Sequence, residues 1–212
     1  MGYKFGVLAQ FQKGVDAAQV SRGAGKGAIA LMEGLERAVT TLLEIRATNK
    51  KVVLVGNGGS AAIASHQAVD LWRNGGLKAL AFNDPALLTC VANDFGYPNV
   101  FSKPIDMFCE PGDCLIAISS SGNSPNILQA VDKAREKGCV IIGFSGFRPS
   151  NHLRLKGDLN FYIPSQSYGI VETAHLLLVH TIVDEYIRRT KEDVLHETES
   201  FEKSLFRNAP HS

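Results

Sequence analysis

The chain has 212 residues, a length that suits a single domain able to bury an apolar core without disulfides or a structural metal. Hydrophobic residues make up 45% of the chain, charged residues 20%, and the formal net charge is +1. This balance gives no electrostatic reason to expect binding to nucleic acid or to a membrane. An anionic small molecule would instead need local cationic groups or backbone N–H donors.

The N-terminal segment does not show the pattern expected of an export signal. MGYKFGVLAQFQKG lacks the apolar run and the cleavage site of a signal peptide, and no later run approaches transmembrane length. The four cysteines are interpreted as structural thiols, with Cys90, Cys114 and Cys139 in apolar surroundings. We therefore expect a cytoplasmic protein.

The first part of the chain predicts an arm followed by a helix. Residues 1–25 end in the glycine-rich stretch SRGAGKG, which is typical of a loop, so we expect them to form an N-terminal arm. Residues 26–49 carry apolar positions at helical spacing and predict a helix. At the other end, residues 190–212 are a charged tail that continues the last helix, docks on another subunit or stays disordered.

Between these ends, short apolar runs alternate with helical patterns. The runs are near strand length and lie at residues 52–56, 77–82, 114–119, 140–145 and 159–164. Several are apolar at every position, which is typical of strands covered on both faces. The alternation predicts an α/β fold, a three-layer, doubly wound, five-stranded parallel sheet flanked by helices, as one domain over residues 26–189.

Two polar loops follow predicted strands, where ligands bind in open α/β sheets. The first is GNGGS at residues 56–60 and the second is SSSGNS at residues 119–124, and each precedes a helical pattern. Glycines let the backbone approach a ligand, and helix N-termini direct N–H groups at anions. Either loop alone is equally well a tight turn with a serine helix cap. Two such loops in one sheet favour a ligand, and neither matches a nucleotide-binding glycine motif.

Histidines and carboxylates in two helical segments are candidates for proton transfer or metal binding. His66 and Asp70 share a helix face, whereas Glu172 and His180 lie in a later apolar segment. Taken singly, His66 is better interpreted as a surface or core histidine, and Asp70 and Glu172 could be ordinary carboxylates. His180 has few polar neighbours on its own helix, which favours a function. Together the four suit Zn²⁺ or a division into acid and base. A continuous helix would separate Glu172 from His180 by about 12 Å. Either Glu172 precedes the helix or the site combines two subunits, and we favour the second arrangement.

These motifs together resemble the sugar isomerase (SIS) domain, a flavodoxin-like fold, and within it the phosphoheptose isomerases. The resemblance rests on GNGGSA, HxxxD, ANDFGY at 92–97, ISSSGNS at 118–124 and ETAHLLLVH, and it spans residues 26–188. It implies a homotetramer with active sites between subunits. It also implies an aldose–ketose isomerase that acts on sedoheptulose 7-phosphate, or a related sugar phosphate, through an enediolate.

The resemblance further implies roles for individual residues. The substrate would be held by residues of the two loops and of the ANDFGY motif: Asn57, Gly58, Ser60, Asp94, Ser119, Ser120, Ser121 and Ser124. Zinc, or another divalent metal, would be held by His66, Asp70, Glu172 and His180, and the catalytic residues would be Asp70, Glu172 and His180. Family members have Glu at the position of Asp70 and Gln at that of Glu172. The two changes keep two oxygen ligands and add a negative charge, which favours a divalent cation.

Two other functions fit the same resemblance. One is an isomerase for a different phosphosugar, and the other is a non-catalytic SIS protein that senses phosphosugars or serves as an interaction scaffold. The presence of both His66 and His180 favours an enzyme, because such non-catalytic relatives lack part of the metal and acid–base set. The chain has no helix-turn-helix signal and no basic patch, so we expect no nucleic-acid partner.

Overall fold

The computed structural model describes residues 6–23 and 27–207, with residues 193–207 described by their backbone alone. In these ranges the strands are β1 Gln19–Arg22, β2 Gly27–Ile29, β3 Val52–Gly56, β4 Ala79–Ala81, β5 Cys114–Ser119, β6 Val140–Gly146 and β7 Leu159–Ile163. The α-helices are α1 Gly6–Asp16, α2 Leu31–Ala47, α3 Gly59–Arg73, α4 Pro85–Phe95, α5 Ser102–Phe108, α6 Pro125–Glu136 and α7 Tyr168–Arg207.

The strands form one sheet in the order β2-β1-β7-β6-β5-β3-β4, and the strands from β7 to β4 in this order are parallel. These parallel strands correspond to the apolar runs in the sequence, and every residue of β3, β5 and β7 is buried. From β3 the chain goes to β4 on one side, and β5 then returns to the other side of β3. The winding therefore reverses between β3 and β5, which is where ligands bind in this architecture.

Two antiparallel strands extend the sheet beyond the five strands predicted. β1 pairs with β7, with Val20 opposite Phe161, and β2 pairs with β1 at the edge. Both are short, and only Val20 and Ser21 of their residues are buried, so they lack the apolar run that marks the other strands. The segment expected to form an arm therefore supplies a strand to the sheet, and the helix predicted over 26–49 begins at Leu31.

Helices cover both faces of the sheet and give three layers, which confirms the predicted fold class. On one face, α2, α3 and α7 pack over the sheet, with Leu42, Leu71 and Val183 in the core. On the other face, α5 and α6 bury Ile105 and Ile127. Each large aliphatic side chain buried in this way contributes about 1.5–3 kcal/mol relative to exposure.

Three further features bear on the sequence analysis. Helix α7 continues through the charged tail as far as Arg207, so the tail extends the last helix. Cys90 is exposed on α4, whereas Cys109 joins Cys114 and Cys139 in the interior. Cys90 has apolar neighbours in the sequence, but it is exposed because it lies on α4, none of whose residues is buried. Among the described residues, no helix combines the length and apolarity that a membrane span requires.

Candidate active site

The two polar loops meet at the carboxyl ends of β3 and β5 and form one cavity, here called the serine cavity. Six of the residues predicted to hold substrate line it, namely Asn57, Ser60, Ser119, Ser120, Ser121 and Ser124. The remaining lining residues are Ile118, Tyr168 and Glu172. Gly58, at the N-cap of α3, has a φ of 54°, a left-handed conformation that glycine adopts readily. This turn sends the chain from β3 directly into α3 beside the cavity.

The serine cavity offers hydrogen-bond donors suited to an anion. Ser119 and Ser120 are both 5% exposed, and the Ser120 hydroxyl has no hydrogen-bond partner among the described residues. The Ser119 hydroxyl accepts a bond of 3.2 Å from the Gly122 N–H. Ser124 is the N-cap of α6, a helix of 12 residues whose N-terminal N–H groups and dipole favour negative charge. A buried hydroxyl without a partner beside a helix N-terminus suits phosphate oxygens.

Glu172 lies at the junction of two cavities. It lines the serine cavity, and it also lines an adjoining groove between α3 and α7, here called the His66 groove: Gly59, Ala62, Ile63, His66, Glu172, Thr173 and Leu176. Its carboxylate lies against the backbone of Gly59, the first residue of α3, where a Cβ would collide with it. The positive end of the α3 dipole favours a carboxylate at this place. Glu172 is inside α7, so it does not precede the helix.

The structure brings three of the four predicted metal ligands together. His66, Asp70 and His180 each offer a ligand atom within 4.8 Å of the others. The His66 Nε2 and Asp70 Oδ2 atoms are 3.3 Å apart, and the rings of His66 and His180 have centroids 5.3 Å apart. Neighbouring ligands of a tetrahedral zinc ion lie about 3.4 Å apart, a spacing that the His66–Asp70 pair matches and that the third ligand could reach by a small movement. Glu172 is outside this group, because it lies about two helical turns from His180 on α7.

Two predicted substrate residues, Asp94 and Gly58, do not line either cavity. Asp94 is on the exposed helix α4, where its carboxylate accepts a bond of 2.9 Å from Asn93 Nδ2. Gly58 contributes backbone conformation at the N-cap of α3. The ANDFGY motif reaches the site through Tyr97 rather than through Asp94, because Tyr97 Oη donates to Asn57 Oδ1 at 3.0 Å.

Three residues near the serine cavity were not named from the sequence: Tyr97, Asn126 and Tyr168. Tyr168 lines the cavity and packs edge-on against Phe147, with ring centroids 4.8 Å apart. Phe147 has a φ of 57°, which is uncommon for a bulky residue and is typical of functional regions. Tyr97 and Asn126 stand inside or beside the quoted motifs, but their bonds to Asn57 cross 40 and 69 residues of sequence.

His175 lies in the same helical segment as Glu172 and His180 but faces the core. It is fully buried, and its Nε2 donates to the Ser145 carbonyl at 3.1 Å. Burial lowers the pKa of His175 to about 4, while the bond to Ser145 opposes the shift. His175 is therefore a neutral packing residue between α7 and β6.

Comparisons with known proteins agree with this geometry. A family model described as the SIS domain matches residues 18–146. Phosphoheptose isomerase of Aliarcobacter butzleri is 37% identical over 158 residues, which are 72% of this chain and 83% of that protein. Phosphoheptose isomerase of Fusobacterium nucleatum subsp. nucleatum is 35% identical over 154 residues, 70% of this chain and 79% of that protein. The chain belongs to the phosphoheptose isomerase family.

A solved structure gives the same result at the level of the whole fold. Phosphoheptose isomerase of Neisseria gonorrhoeae superposes with a TM-score of 0.75 at 30% identity, covering 85% of this chain and 96% of that chain. The predicted family and the predicted enzyme class, an aldose–ketose isomerase of phosphosugars, are confirmed. The SIS model matches residues 18–146, so it does not include Glu172 and His180, which lie on helix α7 of this chain.

Proposed function

We propose that the chain interconverts sedoheptulose 7-phosphate, or a closely related sugar phosphate, with its aldose isomer through an enediolate. The observation that carries this proposal is the position of Glu172, whose side chain lines both the serine cavity and the His66 groove. A phosphate bound by the serines would place the remainder of the sugar beside a carboxylate and an imidazole. Those are the groups that acid–base catalysis requires.

In this proposal the serine cavity holds the phosphate, which is remote from the reacting carbons. Ser120 offers a buried hydroxyl without a partner among the described residues, and the positive end of the α6 dipole favours an anion beside Ser124. Asn57, Gly58, Ser60, Ser119, Ser121 and Ser124 complete the proposed substrate site, and Asp94 stays a prediction for it. Binding energy from the phosphate would hold the carbons in place for proton transfer.

Glu172, Asp70 and His180 are the proposed catalytic residues. Glu172 is placed to remove the proton next to the substrate carbonyl, because its carboxylate borders both cavities. Asp70 and His180 lie beside His66, which lines the groove. We propose that they return a proton to the neighbouring carbon of the substrate. We propose Zn²⁺ as the ion held by His66, Asp70 and His180, where it would polarise the carbonyl as a Lewis acid. The role of Glu172 as a fourth ligand stays a prediction of the sequence.

The proposed assembly is a homotetramer with active sites at subunit interfaces. The support is the exposure of apolar side chains on the two helices that form the His66 groove: Val69 and Trp72 of α3 and Leu177 of α7 are 42%, 53% and 44% exposed. A partner subunit on this face would close the groove. A cytoplasmic location stays a prediction of the sequence.

The first test is turnover of sedoheptulose 7-phosphate, with and without added Zn²⁺, with the aldose product followed by NMR. Zinc-stimulated conversion supports the proposal. His180→Ala should abolish turnover and leave phosphosugar binding measurable by calorimetry, because His180 lies outside the serine cavity. Full activity in that variant would remove His180 from the mechanism. Binding without conversion in the unaltered protein would favour another sugar substrate or a sensing role.

Glu172→Gln tests the proposed base. It is nearly isosteric and gives the residue that related isomerases carry, so a loss of activity would show that this chain, unlike them, uses a carboxylate base at this position. If Glu172 removes the proton, kcat falls by roughly a hundredfold or more, whereas the KM changes little. Activity equal to that of the unaltered protein would limit Glu172 to binding.

A further inference from the structure

The side-chain amide of Asn57, on the wall of the serine cavity, is held by two neighbours. Asn57 Nδ2 donates to Asn126 Oδ1 at 3.0 Å, and Asn126 Nδ2 donates to Asn57 Oδ1 at 2.8 Å. Tyr97 Oη adds a third bond of 3.0 Å to Asn57 Oδ1. Asn126 is 2% exposed and does not line the cavity, so it reaches a ligand only through Asn57.

The direction of every bond in this network follows from one backbone group. The Ile127 N–H of α6 bonds to Asn126 Oδ1 at 3.1 Å, and only an oxygen can accept from an N–H. The orientation of the Asn126 amide is therefore fixed. Its Nδ2 must face the oxygen of Asn57, which fixes the Asn57 amide in turn. Tyr97 then meets an acceptor and has to donate.

The network leaves Asn57 with a single free hydrogen-bonding group. A primary amide has two N–H donors and two lone pairs on its oxygen. Asn126 and Tyr97 occupy both lone pairs, and Asn126 takes one N–H. One Asn57 N–H remains for the serine cavity, and no acceptor remains. A ligand atom bound there must be an acceptor oxygen.

We propose that Asn126 and Tyr97 are positioning residues that hold Asn57 as a dedicated hydrogen-bond donor to the sugar phosphate. The inference rests on the proposed function for the identity of the ligand. A donor with a fixed orientation favours an oxygen that gains negative charge during the reaction, since it need not reorient when the charge develops. Without its neighbours the Asn57 amide can turn over and present its oxygen, which would repel the same ligand atom.

Two substitutions test this inference. Asn126→Asp keeps the shape of the side chain but replaces the Nδ2 donor with an anionic oxygen opposite Asn57 Oδ1. We expect about tenfold weaker binding of sedoheptulose 7-phosphate and a fall of at least tenfold in kcat/KM. Tyr97→Phe removes one neutral bond and should cost about fivefold. Tyr97 is 55% exposed, so this variant keeps the inference testable if Asn126→Asp fails to fold.

The matched control is Asn123→Asp, three residues earlier, in the loop that precedes α6. Asn123 is exposed, and its Oδ1 accepts from the His152 N–H at 3.0 Å, a bond that aspartate retains. The control therefore introduces the same charge close to the cavity without altering Asn57. Because this charge stands beside the proposed phosphate site, any loss it causes measures the effect of charge alone, and the loss in Asn126→Asp should exceed it several-fold.

A double-mutant cycle with Asn57→Ala separates positioning from a general structural effect. If Asn126 and Tyr97 act through Asn57, neither substitution should weaken binding by more than about twofold in the Asn57→Ala background. The full loss of about tenfold for Asn126→Asp in that background would overturn the inference, as would binding of the unaltered strength in the single variants.

Calorimetric binding and turnover are measured separately on the same variants. A protein that binds sedoheptulose 7-phosphate without converting it contradicts the proposed reaction on this sugar, yet the binding cycle still decides the role of Asn126 and Tyr97. A protein that binds no phosphosugar overturns the inference itself, because no ligand oxygen would then meet Asn57.

Discussion

At the scale of single residues, the space above Gly59 decides where the Glu172 carboxylate lies. A Cβ at position 59 would collide with that carboxylate, and the atoms it would meet are the far end of a flexible side chain. Glycine is therefore required here for the position of Glu172 rather than for backbone conformation. The sequence motif GNGGS showed a glycine-rich turn but gave no indication that a residue of α7 occupies the space.

Gly59→Ala should displace Glu172 and lower kcat/KM by about a hundredfold, a typical cost of moving a catalytic group by about 1 Å. The melting temperature should hardly change, since Glu172 can rotate away and alanine is favoured over glycine in a helix. Steady-state kinetics and thermal unfolding of the same samples check both statements.

The control for this variant is Gly169→Ala, in the first turn of α7, where an added Cβ meets nothing within 4 Å. It should retain the activity of the unaltered protein. Equal kinetics for the two variants would show that the contact between Gly59 and Glu172 has no functional consequence.

At the scale of elements, apolar runs predicted the strands that are buried on both faces. The apolar runs at residues 52–56 and 114–119 predicted the positions of β3 and β5, and the helical patterns after them predicted α3 and α6. β1 and β2 escaped prediction because an edge strand of three or four residues needs little apolar sequence of its own. Their pairing depends on β7, which is more than 100 residues away in the sequence, so no local pattern reveals it.

The residues of the candidate site also divide into those that local sequence patterns predicted and those that only the fold reveals. The serine loop and GNGGS were predictable because glycine, serine and asparagine after a strand have a direct physical meaning. The roles of Tyr97 and Asn126 were not, because both act through contacts across the fold. His175 and His180 are five residues apart in similar surroundings, yet one is a core residue and the other joins His66. Only the packing of α7 on β6 separates the two.

The packing of α7 on β6 also predicts an acid-sensitive stability. Burial lowers the pKa of His175 from 6.5 to about 4, so the unfolded chain binds a proton that the folded chain does not bind until the pH reaches about 4. The free energy of unfolding should therefore fall as the pH drops from 6.5 to about 4. This histidine accounts for a loss on the order of 3 kcal/mol.

His175→Gln isolates this contribution, because glutamine can donate to the Ser145 carbonyl but does not titrate. Urea unfolding of both proteins between pH 4 and pH 7 gives the two pH dependences. The variant should be less stable near pH 7, owing to altered packing, and should lose less stability on acidification. Parallel curves would assign the acid sensitivity to other groups.

At the scale of the whole molecule, three exposed apolar side chains lie on the two helices that form the His66 groove. Val69 and Trp72 of α3 and Leu177 of α7 are each more than 40% exposed, and all belong to the helices that form the His66 groove. Exposed apolar clusters on a soluble domain are typical of protein–protein contacts. A second copy of the chain is the partner that the proposed tetramer supplies. In that arrangement catalysis depends on assembly, since the groove beside Glu172 and His66 would be closed by the neighbouring subunit.

Leu177→Lys places a charge in this contact and should reduce the molecular mass measured by light scattering after size-exclusion chromatography. Turnover should fall together with the mass, and should recover in part at high protein concentration, where mass action favours assembly. Leu155→Lys makes the same change at a leucine that is 48% exposed, compared with 44% for Leu177, in a turn before β7. That control should keep both the mass and the activity of the unaltered protein. A monomer with full activity would separate catalysis from assembly, and the groove would then have to be complete within one chain.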